Sequence, residues 1–380
     1  MKKNRLSPEE ELIFLCSRTN INNSVIQKIE KIIACPLKWS KIIKIAIQQE
    51  VPTFLYYNLT RLNLSINIPD DVSLKLKQYY YLNLEKNIKF EKEVLKLLGL
   101  ANNKGISAVA LKGLSLLQCV YKNPALRIMA DVDILVKIED FEKMASLLKQ
   151  LDLKENINHR KNKENRDYRH MAIFSKKLSA NLFLIIEIHG ILVHARPYEI
   201  HLSCLWERAY ETNSHGQKIL SLSNEDIFIS LILHMRSHLR RLKLKFIIDI
   251  AELINYYKNT LDWTYIIRMA EINHIKNSVF LFLYLAEELL DAEIDCKIFN
   301  EIKPNFLKIF FIKFLINKNN FFNLTKGKAV LIRFLVFDKN LDFFFYLWKV
   351  SFLEKFIGKI GFLRNNIKKT QTTTKEAIKK

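Results

Sequence analysis

Cysteine pairs at metal-binding or redox spacing are missing from this 380-residue chain. Its five cysteines (Cys16, Cys35, Cys119, Cys204 and Cys296) lie far apart, form no C-x-x-C pair and are odd in number. That argues against a disulfide framework or a zinc ribbon and for reduced thiols. No run reaches the roughly 18 uninterrupted apolar residues that a spanning helix needs. Neither a Walker A sequence nor G-x-G-x-x-G occurs, which disfavours P-loop and dinucleotide chemistry. Acidic residues are short as well: 39 Asp+Glu against 60 Lys+Arg leave a net charge of +21. Such an excess favours polyanionic company, namely nucleotides, nucleic acid or an anionic membrane face. The plainer reading is a general preference for Lys, Ile and Asn throughout. The first residues lead into Ser7-Pro8-Glu9-Glu10 and not into an apolar signal core, so a cytoplasmic location is expected.

What remains is ordinary globular composition, 49% hydrophobic and 26% charged, in a length that suits two or three domains. Ser7-Pro8-Glu9-Glu10 reads as a helix start with a capping box. Trp39 to Ile47 carries apolar residues at helical spacing and is closed by Pro52. Pro69-Asp70-Asp71 opens an amphipathic helix running to about Asn103. At Gly105 the pattern changes. Ile106 to Leu111 is short, apolar and partly β-branched, as a buried strand is. Lys112-Gly113 ends it, and Leu114 to Tyr121 follows as a short helix. Val132 to Val136 is a second strand and Phe141 to Leu151 a helix. Lys154 to Arg166 is a basic loop, either solvated surface or a mobile lid. Tyr168 to Phe174 and Leu182 to His189 are two more strands, with Lys176-Lys177 in their connection. Beyond Trp206 the chain turns helical again, except for a hairpin around His215-Gly216. Ser223-Asn224-Glu225-Asp226 caps a further helix. Phe306 to Phe362 is rich in Phe and Lys, as amphipathic helices on a core are; a membrane surface or nucleic acid is the sharper alternative. From Arg364 a polar, basic tail follows. The expected fold is α+β: a small mixed-sheet core at 105–200 between helical regions at 1–104 and 201–363, with the tail at 364–380.

Asp131-Val132-Asp133 is the most informative tripeptide. Residues i and i+2 of a strand share a face, so two carboxylates stand side by side. Keeping both charged favours a counter-cation, and carboxylate oxygens are the hard ligands that Mg²⁺ prefers. Glu187-Ile188-His189 places a third carboxylate and an imidazole on one face of another apolar strand. Lys112-Gly113 sits in a strand-to-helix turn of the kind that receives phosphate. Arg127 either reaches the same phosphates or pairs with Asp131 or Asp133. Together these are the parts of a two-metal phosphoryl or nucleotidyl transfer site. His170 and His189 read more readily as hydrogen-bonded strand histidines than as site groups. His234 and His238 are one helical turn apart, but no third ligand is evident for a zinc site. An inter-domain role, with His234 or Arg240 lining an acceptor cleft, fits better.

Leu111-Lys112-Gly113, then Tyr121, Pro124, Arg127, Asp131-Val132-Asp133-Ile134-Leu135-Val136 and Glu187-Ile188-His189, resemble the uncharacterised nucleotidyltransferase family of the DNA polymerase β-like nucleotidyltransferase superfamily. Ala46 to Leu59 resembles the family's N-terminal helices. Ser223 to His234, His238 and Asp249 to Leu253 resemble its C-terminal helices. The similarity covers roughly residues 40 to 255, with a looser echo from Arg333 to Trp348. The superfamily's usual turn is Gly-Gly or Gly-Ser; here Lys112 takes the first position and the Ser is displaced to Ser115.

The resemblance implies a polymerase β-like core and transfer of an NMP from an NTP, such as ATP, to a hydroxyl, with release of pyrophosphate. It implies two Mg²⁺ ions on Asp131, Asp133 and Glu187, with Glu187 completing one site or taking the hydroxyl's proton. Lys112, Gly113 and Arg127 are the implied triphosphate contacts. A small-molecule acceptor is favoured over protein or RNA. The rival readings are a nucleotidylating toxin with a protein acceptor and a non-catalytic basic protein on nucleic acid or an anionic membrane.

Overall fold

The computed structural model describes residues 6–64, 68–156, 171–192, 203–258 and 260–338. The basic loop beyond Asn156 with Tyr168 and His170, the echo reaching Trp348 and the tail from Arg364 lie outside the described residues.

Four helices open the chain: Pro8–Cys16, Asn23–Ile33, Trp39–Gln49 and Pro52–Arg61. Ser7 caps the first, accepting from the Glu10 N–H while the Glu10 carboxylate accepts from the Ser7 N–H. Pro52 does not itself stop the third helix. Glu50 does so in the left-handed region (φ 59°), and Pro52 opens the fourth helix at its first turn, where a missing N–H is harmless. The long helix Asp70–Asn103 follows. Its buried stripe runs through Val72, Leu76, Asn83, Asn87, Phe90 and Val94, the three-to-four spacing of one helical face.

The sheet has seven strands, β1 Ala108–Ala110, β2 Val132–Val136, β3 Lys154–Glu155, β4 Met171–Ser179, β5 Leu182–His189, β6 Tyr210–Ser214 and β7 Gln217–Ser221, in the order β3-β4-β5-β2-β1-β7-β6. β2 lies antiparallel to β1 and parallel to β5, so it is central and its five residues are all buried. The hairpin expected at His215-Gly216 is β6–β7, and it joins this sheet through a parallel pairing of β7 with β1. Lys176 and Lys177 are strand residues of β4, not its connection; the turn is Ala180-Asn181. Lys176 is held in the strand by an ion pair to Glu93 of the long helix.

Helix Lys112–Cys119 packs on β2, and helix Phe141–Gln150 covers β5. The C-terminal half contributes helices Ser203–Arg208, Asn224–Ser237, Leu244–Tyr257, Trp263–Ile272, Lys276–Leu290, Cys296–Ile302, Phe306–Leu315 and Lys326–Leu335. One continuous apolar core runs from Leu12 through the sheet to Val336. The fold is thus α+β, with helices on both sides of a mixed sheet. No helix among the described residues is long and apolar enough to cross a membrane. Helix Phe306–Leu315 leaves Phe306, Leu307, Phe310 and Phe314 exposed.

Candidate active site

Strand pairing builds the site. β2 and β5 run parallel with Asp133 opposite Glu187 and Leu135 opposite His189. Alternation along β5 then puts Glu187 and His189 on one face, beside Asp133. Asp133 is the hub. Its Oδ1 accepts from Lys112 Nζ at 2.6 Å and lies 2.9 Å from His189 Nε2. His189 Nε2 is also 3.7 Å from Glu187 Oε2. Among the described residues, Asp133, Glu187 and His189 each offer a ligand atom, all within 4.8 Å of one another. Asp131 is outside that group, in the bend just before β2.

The charges are unevenly settled. Burial alone would push the Asp133 carboxyl up, but the hydrogen bond from His189 and the Lys112 ammonium hold it well below the usual carboxylate range. Asp131 and Glu187 go the other way. Burial raises both, and repulsion from Asp133 raises them further. One ionised carboxylate therefore sits between two that resist ionisation, a distribution that added positive charge relieves.

Lys112 opens helix Lys112–Cys119 with a left-handed backbone, φ 53°. Gly113 does not need positive φ. A Cβ on it would lie 2.6 Å from Met129 Sδ, so glycine is there for the close approach of the loop before β2. Ser115 is buried within the helix.

That loop, residues 121–130, has almost no regular structure, and side chains hold its carbonyls. Thr53 donates to Leu126 O at 2.7 Å, Asn83 to Ala125 O at 2.8 Å, and Asn87 to Pro124 O at 2.6 Å and Arg127 O at 2.7 Å. Lys86 donates to Met129 O. Arg127 pairs with neither Asp131 nor Asp133. Its Nε and Nη2 are taken by Asp249 at 2.7 to 2.9 Å, and its Nη1 donates to Ile128 O. Tyr121 donates to the same Asp249 at 2.9 Å. Asn83, Asn87 and Thr53 went unread in the sequence. Their signal was there: two asparagines one turn apart on an apolar stripe need buried partners. Asp249, inside the run Phe246-Ile247-Ile248-Asp249-Ile250, likewise called for a buried cation.

The C-terminal helices close the other side. The His234 and His238 rings are 4.4 Å apart, and both lie against Phe246. Burial first, then the charge of Lys112, drives the His234 pKa well below its ordinary value. His238 shifts down for the same two reasons. Both histidines thus lie within electrostatic reach of the Lys112–Asp133 pair, and neither joins a group of three metal-ligating side chains among the described residues. Glu50 bridges Lys243 and Lys245, tying the N-terminal helices to helix Leu244–Tyr257. Burial, then repulsion from Arg127, lowers the Lys245 pKa; burial, then Lys245, lowers that of Lys86. Glu50 and Lys86 line a cleft of about 550 Å³ with Tyr79, Asn83, Ser179 and Asn181.

Residues 36–291 match the family model described as "Uncharacterised nucleotidyltransferase". No curated protein matches the chain. Among solved structures, the chain is similar to an antigenic nucleotidyltransferase-like protein from Paracoccidioides brasiliensis, at 18% identity and a TM-score of 0.33, over 56% of this chain and 96% of that one.

Proposed function

The chain belongs to the uncharacterised nucleotidyltransferase family, and on that premise we propose that it moves an NMP from an NTP to an acceptor hydroxyl, releasing pyrophosphate. The observation that carries the reading is the in-register pairing of Asp133 and Glu187 on adjacent parallel strands, with Asp131 at the strand mouth. The raised Asp131 and Glu187 carboxyls mark an excess of negative charge that divalent cations fit, and hard oxygen donors suit Mg²⁺. Asp131, Asp133 and Glu187 would hold two such ions. Bound Mg²⁺ would supply charge neutralisation at the triphosphate and at the attacking oxygen.

The chain's own groups do the rest. Glu187 completes the second ion site or takes the proton of the acceptor hydroxyl. The freed oxygen attacks the α-phosphorus, and the bond to the β,γ-pyrophosphate breaks. The N–H groups at the start of helix Lys112–Cys119, including that of Gly113, face the polyphosphate. Lys112 adds a positive charge that a hydroxyl in its place would lack. Arg127 is the exception among the expected phosphate contacts. With Asp249 and the Ile128 carbonyl taking its N–H groups, it organises the loop that carries Asp131. The acceptor in this reading is a small molecule in preference to protein or RNA. Five unpaired cysteines are consistent with a reducing, cytoplasmic setting.

A panel of ATP, CTP, GTP and UTP with Mg²⁺ in calorimetry tests the reading, followed by mass spectrometry of candidate acceptors. Wild type should bind at least one NTP, and Asp133→Asn and the less buried Asp131→Asn should each weaken it at least about tenfold. Absence of Mg²⁺-dependent NTP binding in wild type, or unchanged binding in both folded variants, sinks the proposal.

A further inference from the structure

We infer that His189 is itself a ligand of the divalent ion, so that Asp133, Glu187 and His189 form a mixed oxygen–nitrogen site that takes Mn²⁺ in preference to Mg²⁺. The inference rests on the proposed metal site and adds a ligand and a selectivity to it. The three acidic residues of that proposal are not the three groups that converge most closely. The converging set is Asp133, Glu187 and His189, their ligand atoms within 4.8 Å of one another, and Asp131 is outside it.

Position and chemistry agree. His189 follows Glu187 by two residues on β5, so the backbone itself aims the imidazole at the same face as the carboxylates. The ring is buried, 8% exposed, and its Nε2 points at Asp133 Oδ1 and Glu187 Oε2, not at solvent. Lys112 Nζ shares that Asp133 oxygen, so a positive group already stands where the ion is to bind. An ion entering there displaces the ammonium and meets two carboxylates and one imidazole. Mg²⁺ keeps to oxygen donors and gives up water reluctantly. Mn²⁺ suits the two carboxylates as Mg²⁺ does, and as a first-row transition ion it accepts an imidazole nitrogen beside them more readily than Mg²⁺. An all-carboxylate site would lack this source of discrimination. A merely structural His189, holding Asp133 in place, would leave the ion's ligands all oxygen.

The test uses the full chain stripped with EDTA, titrated with MnCl₂ or MgCl₂ alone and then with NTP. Spin-echo modulation of the Mn²⁺ signal reads nitrogen ligation directly. Wild type should bind Mn²⁺ more tightly than Mg²⁺. It should show ¹⁴N modulation that converts to the ¹⁵N pattern when histidine alone is ¹⁵N-labelled, a readout that needs no variant. His189→Gln should lose the modulation and most of the Mn²⁺ preference, whereas His234→Gln and His238→Gln should keep both. Bound Mn²⁺ without nitrogen modulation, or modulation that survives in His189→Gln, overturns the inference and leaves the carboxylate site standing. Failure of wild type to bind either ion, with or without NTP, overturns both.

Discussion

Replacing Asp249 by alanine tests how the loop ahead of the carboxylates is held. Asp249 is 1% exposed and Arg127 5%, so neither charge is paid back by solvent when its partner goes. The guanidinium makes three contacts to the carboxylate, at 2.8, 2.9 and 2.7 Å, and Tyr121 adds a fourth at 2.9 Å. Removing one partner of a buried pair costs about 3–5 kcal/mol, because the other is left charged and dry. The orphaned Tyr121 hydroxyl adds about 1 kcal/mol. Asp249→Ala should therefore lose about 4–6 kcal/mol in urea unfolding. The double change Arg127→Met with Asp249→Leu removes both charges and keeps the volume. It should stay within about 2 kcal/mol of wild type, the residue of the loss being the Tyr121 hydroxyl and the Ile128 carbonyl, each left without its partner. A single-variant loss below about 1 kcal/mol, or a double variant as unstable as the two singles summed, would refute the reasoning.

Two glycines should behave oppositely. Gly113→Ala drives its Cβ into the buried Met129 side chain and should cost about 1–3 kcal/mol, with a coupling of about 1 kcal/mol to Met129→Ala in a double-mutant cycle. Gly99→Ala meets the Gln217 side chain, crowding only its movable amide oxygen and touching its Cβ at an ordinary 3.4 Å, and gains helix propensity, so its urea midpoint should hold or rise. His234 gives a pH dependence. Its folded pKa is depressed by burial and then by Lys112, so the unfolded chain takes up the proton first. The stability linked to it is full above about pH 6.5 and falls below that, by up to about 1.4 kcal/mol per pH unit. Urea midpoints between pH 7.5 and 5.5 should fall less steeply in His234→Gln; parallel slopes would exclude the account.

Local signals made much of the fold legible. The Ser7 and Ser223 caps, the Pro69 helix start and the Gly216 hairpin each act within four residues, and each is where the sequence puts it. Lys176-Lys177 misled because two lysines between apolar runs look like a connection. In β4 they are strand residues, one of them tied to Glu93, and the true turn at Ala180-Asn181 has no glycine or proline to mark it. Strand alternation made Asp131, Asp133 and Glu187 readable as candidates. The register that sets Asp133 against Glu187, and the pairing of Arg127 with Asp249, join residues 54 and 122 positions apart and leave no local trace.

Lys112 occupies a backbone position that suits glycine. The backbone there is left-handed, φ 53°, a region open to glycine and costly to other residues by about 1–3 kcal/mol. A lysine at this point is therefore tolerated only if its side chain gives something back. It does, through the 2.6 Å ion pair to an Asp133 whose own burial would otherwise oppose its charge. Lys112 is thus, after the hydrogen bond from His189, the second group that holds the central carboxylate ionised. A glycine at position 112 would relax the backbone and leave Asp133 with His189 as its partner in that cluster, so Lys112 links the backbone strain to part of what holds the carboxylate's charge.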